Sequence, residues 1–200
     1  PEGISLAYLP GHGYVKLRLT ARGEDQQKMT ATLDTLTQTI RDRLGKWVYG
    51  IGRHLTLEEA LGNLLKEQGL TIGTAESCTG GYIGHRITAI PGSSAWFKGG
   101  IISYANEVKM EQLQVSADTL AVHGAVSEAT VREMLAGLFK QLSVDIGVAV
   151  SGIAGPDGGT ADKPVGTVWV AYGQADDIRT YKLQLHKKRM LNIELTATLS

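Results

Sequence analysis

Apolar and polar positions alternate in two different rhythms along the chain. Ile4–Leu9 is a short apolar run closed by Pro10, Gly11, His12 and Gly13, a turn sequence. Tyr14–Thr20 then alternates, with Val15, Leu17 and Leu19 on one face and Lys16 and Arg18 on the other, the period of a half-buried strand. From Gln26 to Leu44 the period lengthens. Met29, Leu33, Leu36 and Ile40 fall three and four apart, which predicts an amphipathic helix stopped at Gly45. Trp47–Ile51 predicts a further strand. Thr56, Leu57, Glu58 and Glu59 form a capping-box sequence opening a helix through Leu61, Leu64 and Leu65 that closes at Gly69.

Beyond that point strands and helices alternate. Strands are predicted at Leu70–Ala75, Gly99–Tyr104, Ile146–Val150, Val165–Tyr172 and Arg179–Leu185. Helices are predicted at Tyr82–Ala89, Val108–Leu113 and Glu128–Leu142, with a last one starting near Lys188. This order predicts an α/β fold: a three-layer αβα domain with a mainly parallel sheet, preceded by a small α+β domain. The expected domains are 1–54 and 55–200.

Composition narrows the class. The chain has 200 residues, 42% hydrophobic and 20% charged, which is ordinary globular usage and excludes a mainly disordered chain. A single cysteine excludes an internal disulfide framework and a multi-cysteine zinc site. No apolar run approaches the roughly 20 residues of a membrane helix. The N-terminal residues do not read as a signal peptide. The expectation is a piece of a longer, soluble, cytoplasmic protein. Net charge is zero, with eight basic and five acidic residues in 1–55 and the opposite excess after them. Neither part has the basic footprint of nucleic-acid binding. Glycine is the informative residue: 17 of 25 fall between Gly69 and Gly173, where backbone must turn sharply or approach a ligand.

Several segments could carry chemistry. Glu76, Ser77, Cys78, Thr79, Gly80 and Gly81 follow a strand and precede a helix, where α/β sheets bind ligands. A helix start there, with its unpaired N–H groups, favours an anion. A helix cap would account for one hydroxyl of this group. Cys78 admits two readings, a nucleophile or a small buried filler. Ser93 and Ser94 follow Pro91-Gly92, with Trp96 and Phe97 behind them as stacking candidates or core aromatics. Ser103, Tyr104, Asn106 and Lys109 end another strand; a lysine beside hydroxyls can lower their pKa or act as a base when desolvated. Ser151, Gly152 and Gly155 open a second strand-to-glycine-loop switch. Neither a Walker-type P-loop nor a dinucleotide fingerprint is present. The five histidines lack metal-ligand spacing, so no metal is expected.

Six segments in order (75–81, 92–97, 103–109, 123–127, 151–159 and 163–168) resemble the C-terminal domain of the CinA family, the competence/damage-inducible proteins. Residues 1–54 look like that family's KH-like middle domain, although the Gly-x-x-Gly clamp of nucleic-acid-binding KH domains is not seen. The resemblance implies an amidohydrolase: hydrolysis of the carboxamide of nicotinamide mononucleotide (NMN) to nicotinate mononucleotide and ammonia, in pyridine nucleotide salvage. No cofactor is implied, and a homodimer is. Under that reading Ser77 is the first choice of nucleophile and Ser94 the competing one. Lys109 is the base and Tyr104 relays or donates a proton. Glu76, Thr79, Gly80, Gly81, Ser93, Ser94, Asn106, Ser151, Gly152, Gly155 and Arg189 bind substrate. The family's Gly-Asp-Arg-like run before the last helix reads His186, Lys187, Lys188 and Arg189 here, which makes Arg189 the phosphate contact. The second arginine of that region is replaced, and Gln114 stands where the family usually has glycine. The alternative is a catalytically weak domain that binds a nucleotide and dimerises.

Overall fold

The computed structural model describes residues 3–185 and 188–200. The chain parts into two compact units after Leu57.

In the first unit, β1 (Ile4–Pro10) and β2 (Val15–Ala21) pair antiparallel, from Ile4 opposite Ala21 to Pro10 opposite Val15. α1 (Gln26–Leu44) starts at Asp25, whose carboxylate accepts the Lys28 N–H at 2.9 Å. It stops at Gly45, where φ is +52°. Trp47–Ile51 is not a strand: Gly45–Trp47 makes one 3-10 turn and the following residues pair with nothing in the two-stranded sheet. A strand needs a ladder partner for its backbone groups, and the ladder of this sheet is made by β1 and β2.

In the second unit, α2 (Leu57–Gln68) leads into a five-stranded sheet of order β4-β3-β5-β6-β7. The strands are β3 (Ile72–Glu76), β4 (Phe97–Ile102), β5 (Ile146–Gly152), β6 (Thr167–Gln174) and β7 (Asp177–Gln184). The helices are α3 (Tyr82–Thr88), α4 (Asn106–Leu113), α5 (Ala117–His123), α6 (Glu128–Leu142) and α7 (Arg189–Leu199). β3 lies parallel to both β4 and β5, with every one of its residues buried. The other two pairings, β5 with β6 and β6 with β7, are antiparallel. The sheet is therefore mixed rather than mainly parallel. Only Ala175 and Asp176 join β6 to β7, too few for the crossover of a dozen or more residues that a parallel step requires. The connection 153–166 is long enough but forms no helix, and it returns the chain antiparallel to β5.

The sheet separates two cores. On β5 the period of two sends Val148 and Val150 to one face and Ala149 to the other. The first face packs Ile83 and Ile87 of α3, Leu65 of α2 and Trp96. The second packs Leu113 of α4 and Val131, Met134, Leu135 and Leu138 of α6. These three layers agree with the fold class expected from the sequence. Arg86 ties α3 to both neighbours, pairing with Glu58 and donating to Thr198. Gly166, at φ +90°, admits no side chain: a Cβ there would lie 1.3 Å from the Leu185 carbonyl oxygen.

Gln114 closes α4 in a left-handed conformation, φ 55° and ψ 31°. That backbone explains a glycine preference at this position without reference to a ligand. Gln114→Gly should stabilise the protein by about 0.5–1 kcal/mol, the left-handed penalty less the added freedom of the unfolded chain. A thermal melt checks it; an unchanged or lower Tm contradicts it.

Candidate active site

The carboxyl ends of β4, β3 and β5 point to one edge of the sheet, where parallel strands leave a crevice. The loop after β3 brings Ser77. The turn after β4 brings Tyr104, and α4 brings Asn106 and Lys109. β5 ends at Ser151 and Gly152, and α7 opens with Arg189. Together these line a cleft of about 280 Å³ that also includes Gly155 and Asp157.

Lys109 is 1% exposed. Its Nζ donates to the Ser103 carbonyl at 2.7 Å, to Ser77 Oγ at 3.1 Å and to the Tyr104 carbonyl at 3.3 Å. All three acceptors are uncharged. Burial therefore lowers the Lys109 pKa from its ordinary 10.5, against smaller raising effects of Cys78 and Glu107. Ser77 is fixed from behind by its own N–H, which donates to the Val150 carbonyl at 3.0 Å. A serine hydroxyl and a desolvated amine at hydrogen-bond distance are the parts of a nucleophile and its base. Cys78 also lines the cleft, but burial pushes its thiol up to about 12. A thiol held in that form is a poor nucleophile, so the filler reading of Cys78 is the better one.

Also in the cleft lining, Arg189 donates from Nη1 to the Gly155 carbonyl at 2.7 Å and from Nη2 to the Tyr104 phenol oxygen at 2.9 Å. It makes no ion pair among the described residues, which leaves its charge available to an anion. The phenol oxygen of Tyr104 accepts from Arg189, which leaves its O–H direction open to a ligand. Ser151 is buried and donates to the Ala125 carbonyl at 2.7 Å, which braces the cleft floor. His186 and Lys187, part of the run preceding Arg189, lie outside the described residues.

The expected substrate-binding set divides here. Asn106, Ser151, Gly152, Gly155 and Arg189 line the cleft; Glu76, Thr79, Gly80, Gly81, Ser93 and Ser94 do not. Ser93 and Ser94 sit in a 3-10 turn before β4, Ser93 buried and Ser94 exposed, and the Ser94 hydroxyl meets no base among the described residues. The backbone N–H groups expected to receive a ligand anion instead receive Glu76. Its carboxylate accepts from Gly81, Ile83 and Gly84 at 2.8–3.1 Å and from the Thr79 hydroxyl at 2.7 Å. Ala125, Ile153 and Asp157 join the lining without having been singled out. Their signals were the glycine-rich loop after β5, read as a place where backbone meets ligand, and the 123–127 segment, read for its Ser127 cap; neither reading named these residues.

The site is a cleft at the strand edge of a mixed α/β sheet, with a buried lysine against a serine. The family matches are specific: the CinA C-terminal domain covers residues 54–199 and the damage-inducible protein CinA KH domain covers residues 2–50. The chain belongs to the CinA family. A CinA-like protein of Cytophaga hutchinsonii is 47% identical over 98% of this chain and 47% of its own length. One of Salinibacter ruber is 45% identical over the same shares. The chain thus spans about half the length of the curated relatives it matches. Among solved structures, a CinA superfamily protein from Klebsiella pneumoniae matches with a TM-score of 0.68 at 37% identity, over 70% of this chain and 87% of that one. A competence/damage-inducible protein from Agrobacterium tumefaciens matches with a TM-score of 0.69 at 35% identity, over 71% and 87%. No helix among the described residues is long and apolar enough to cross a membrane.

Proposed function

We propose that this chain hydrolyses the carboxamide of nicotinamide mononucleotide, releasing ammonia and nicotinate mononucleotide. The observation that carries the reading is the buried contact of 3.1 Å between Lys109 Nζ and Ser77 Oγ, with no carboxylate among the lysine's hydrogen-bond partners. Neutral Lys109 takes the Ser77 proton as Oγ bonds to the carboxamide carbon. The C–N bond then breaks, and the departing nitrogen takes a proton from the Lys109 ammonium or from Tyr104. Water attacks the resulting Ser77 ester and releases the carboxylate. Arg189 holds the phosphate, and Asn106 and Gly155 complete the contacts. The homodimer implied by the family resemblance belongs to this proposal.

Ammonia release from NMN by the purified chain is the test. Release above the no-enzyme rate supports the amidase. NMN binding without release moves the reading to a nucleotide-binding, dimerising domain. Arg189→Ala should raise KM on the order of 10- to 100-fold with a smaller effect on kcat, because a phosphate contact remote from the reacting bond contributes mainly to uniform binding. Steady-state kinetics with NMN measure this; an unchanged KM would place the phosphate elsewhere.

A further inference from the structure

Glu76 is 2% exposed and its carboxylate faces the protein's own donors. Oε2 accepts from Thr79 Oγ1 at 2.7 Å, from Gly81 N at 3.0 Å and from Ile83 N at 3.1 Å. Oε1 accepts from Gly84 N at 2.8 Å and from Thr74 Oγ1 at 3.3 Å. Its backbone carbonyl meanwhile accepts from Ser103 N at 2.8 Å, which joins β3 to β4 at the level of the cleft. One residue thus clamps both sides of the loop that carries Ser77 and Cys78. Gly81, at φ +96°, is the bend that turns its N–H onto the carboxylate.

We propose that Glu76 is a positioning residue: a carboxylate built into the fold that fixes the 77–81 loop and so holds Ser77 Oγ against Lys109. This deepens the amidase reading and, for its kinetic part, rests on it. The clamp acts on the loop more than on the fold. α3 is anchored separately by Ile83 and Ile87 in the core and by Arg86 on Glu58 and Thr198. A glutamine at position 76 keeps the shape but turns an amide NH₂ on either Gly84 N–H or the Gly81, Ile83 and Thr79 donors. At least one hydrogen bond is then replaced by a donor facing a donor. The loop loosens while the helix remains.

Cys78 supplies a reporter that does not depend on the reaction. It is the chain's single cysteine, it lies beside Ser77, and burial holds it as an unreactive thiol. Iodoacetamide forms an S–C bond with the thiolate and expels iodide, so a mass shift counts one site. In the parent protein alkylation is slow. In Glu76→Gln it should accelerate on the order of tenfold or more, because the loop opens without global unfolding. Ile87→Val, which loses one methylene from the same region, is the control and should alkylate at the parent rate. With NMN, Glu76→Gln should lose roughly tenfold to a hundredfold in kcat at little change in KM, the signature of a misplaced nucleophile.

Thr79→Val removes one of the five donors and keeps the volume. It should accelerate alkylation by a smaller factor, and it carries the test alone if Glu76→Gln does not fold. Alkylation of these variants at the parent rate overturns the proposal, and so does equal acceleration in Ile87→Val. A parent protein that releases no ammonia overturns the amidase reading instead, and leaves the alkylation result to decide the role of Glu76.

Discussion

Lys109→Met is expected to lower kcat/KM for NMN on the order of a thousandfold or more in a protein that remains folded. Methionine approximates the length and volume of the buried lysine stem but has no proton to accept. The fold should tolerate it. Lys109 is 1% exposed and its Nζ has no acidic hydrogen-bond partner, so its removal also ends a desolvation cost. A thermal melt at or above the parent Tm, with activity lost, is the outcome that identifies a base. Activity close to the parent's would show that the amine has no part in proton transfer. The pH dependence points the same way. Lys109 works as the neutral amine, so kcat/KM of the parent rises with pH toward a midpoint below 10.5, the direction in which burial shifts this group. The same shift makes the unfolded chain hold this proton more tightly than the folded one. Stability attributable to Lys109 therefore increases as pH rises through the window between the lowered folded value and 10.5. Lys109→Met removes both the rising limb and that increment.

Ser77→Ala is expected to be equally severe, with kcat down on the order of a thousandfold or more and NMN still bound. The comparison that gives it meaning is Ser94→Ala. Ser94 lies outside the cleft lining in an exposed turn, so its loss should leave kcat and KM near the parent values. The double variant Ser77→Ala with Lys109→Met should be no slower than either single one, because groups acting as one unit lose their effect together. Additive losses would show that the two side chains work separately. A fully active Ser77→Ala would remove the nucleophile from the proposal and leave direct attack by water as the chemistry.

Much of this molecule was legible in its residue pattern. The buried strand at β3, the amphipathic face of α6 and the Ser127 cap that accepts from Thr130 follow directly from apolar spacing and short polar side chains. The strand-to-loop switches at Ser77 and Ser151 did converge on one cleft, because parallel neighbours end at the same edge. What the pattern could not carry was direction and distance. The direction of β6 followed from the helix-free connection 153–166 and that of β7 from a two-residue turn, and neither reads differently from any other loop. α5 escaped notice because seven residues give too little period to stand out. Glu76 read as a ligand contact, since an acidic residue among hydroxyls looks the same whether it faces solvent or five donors of its own chain. Gln114 read as a departure from the family's usual glycine, and the left-handed backbone there accounts for that preference.

The central place of β3 also sets an order in time. The Thr71 hydroxyl and N–H, just ahead of the strand, meet Asp145 across 74 residues of chain, and Ser77 rests on a carbonyl of β5. Closing so long a segment opposes folding until the partner strand is present. During synthesis, a nascent polypeptide that has emerged only as far as α6 holds both Ser77 and Lys109, yet lacks the strand that seats the serine. The contact between Ser77 and Lys109 is seated only after β5 has left the ribosome, so products that stop short of it carry both residues without the strand that holds the serine in place.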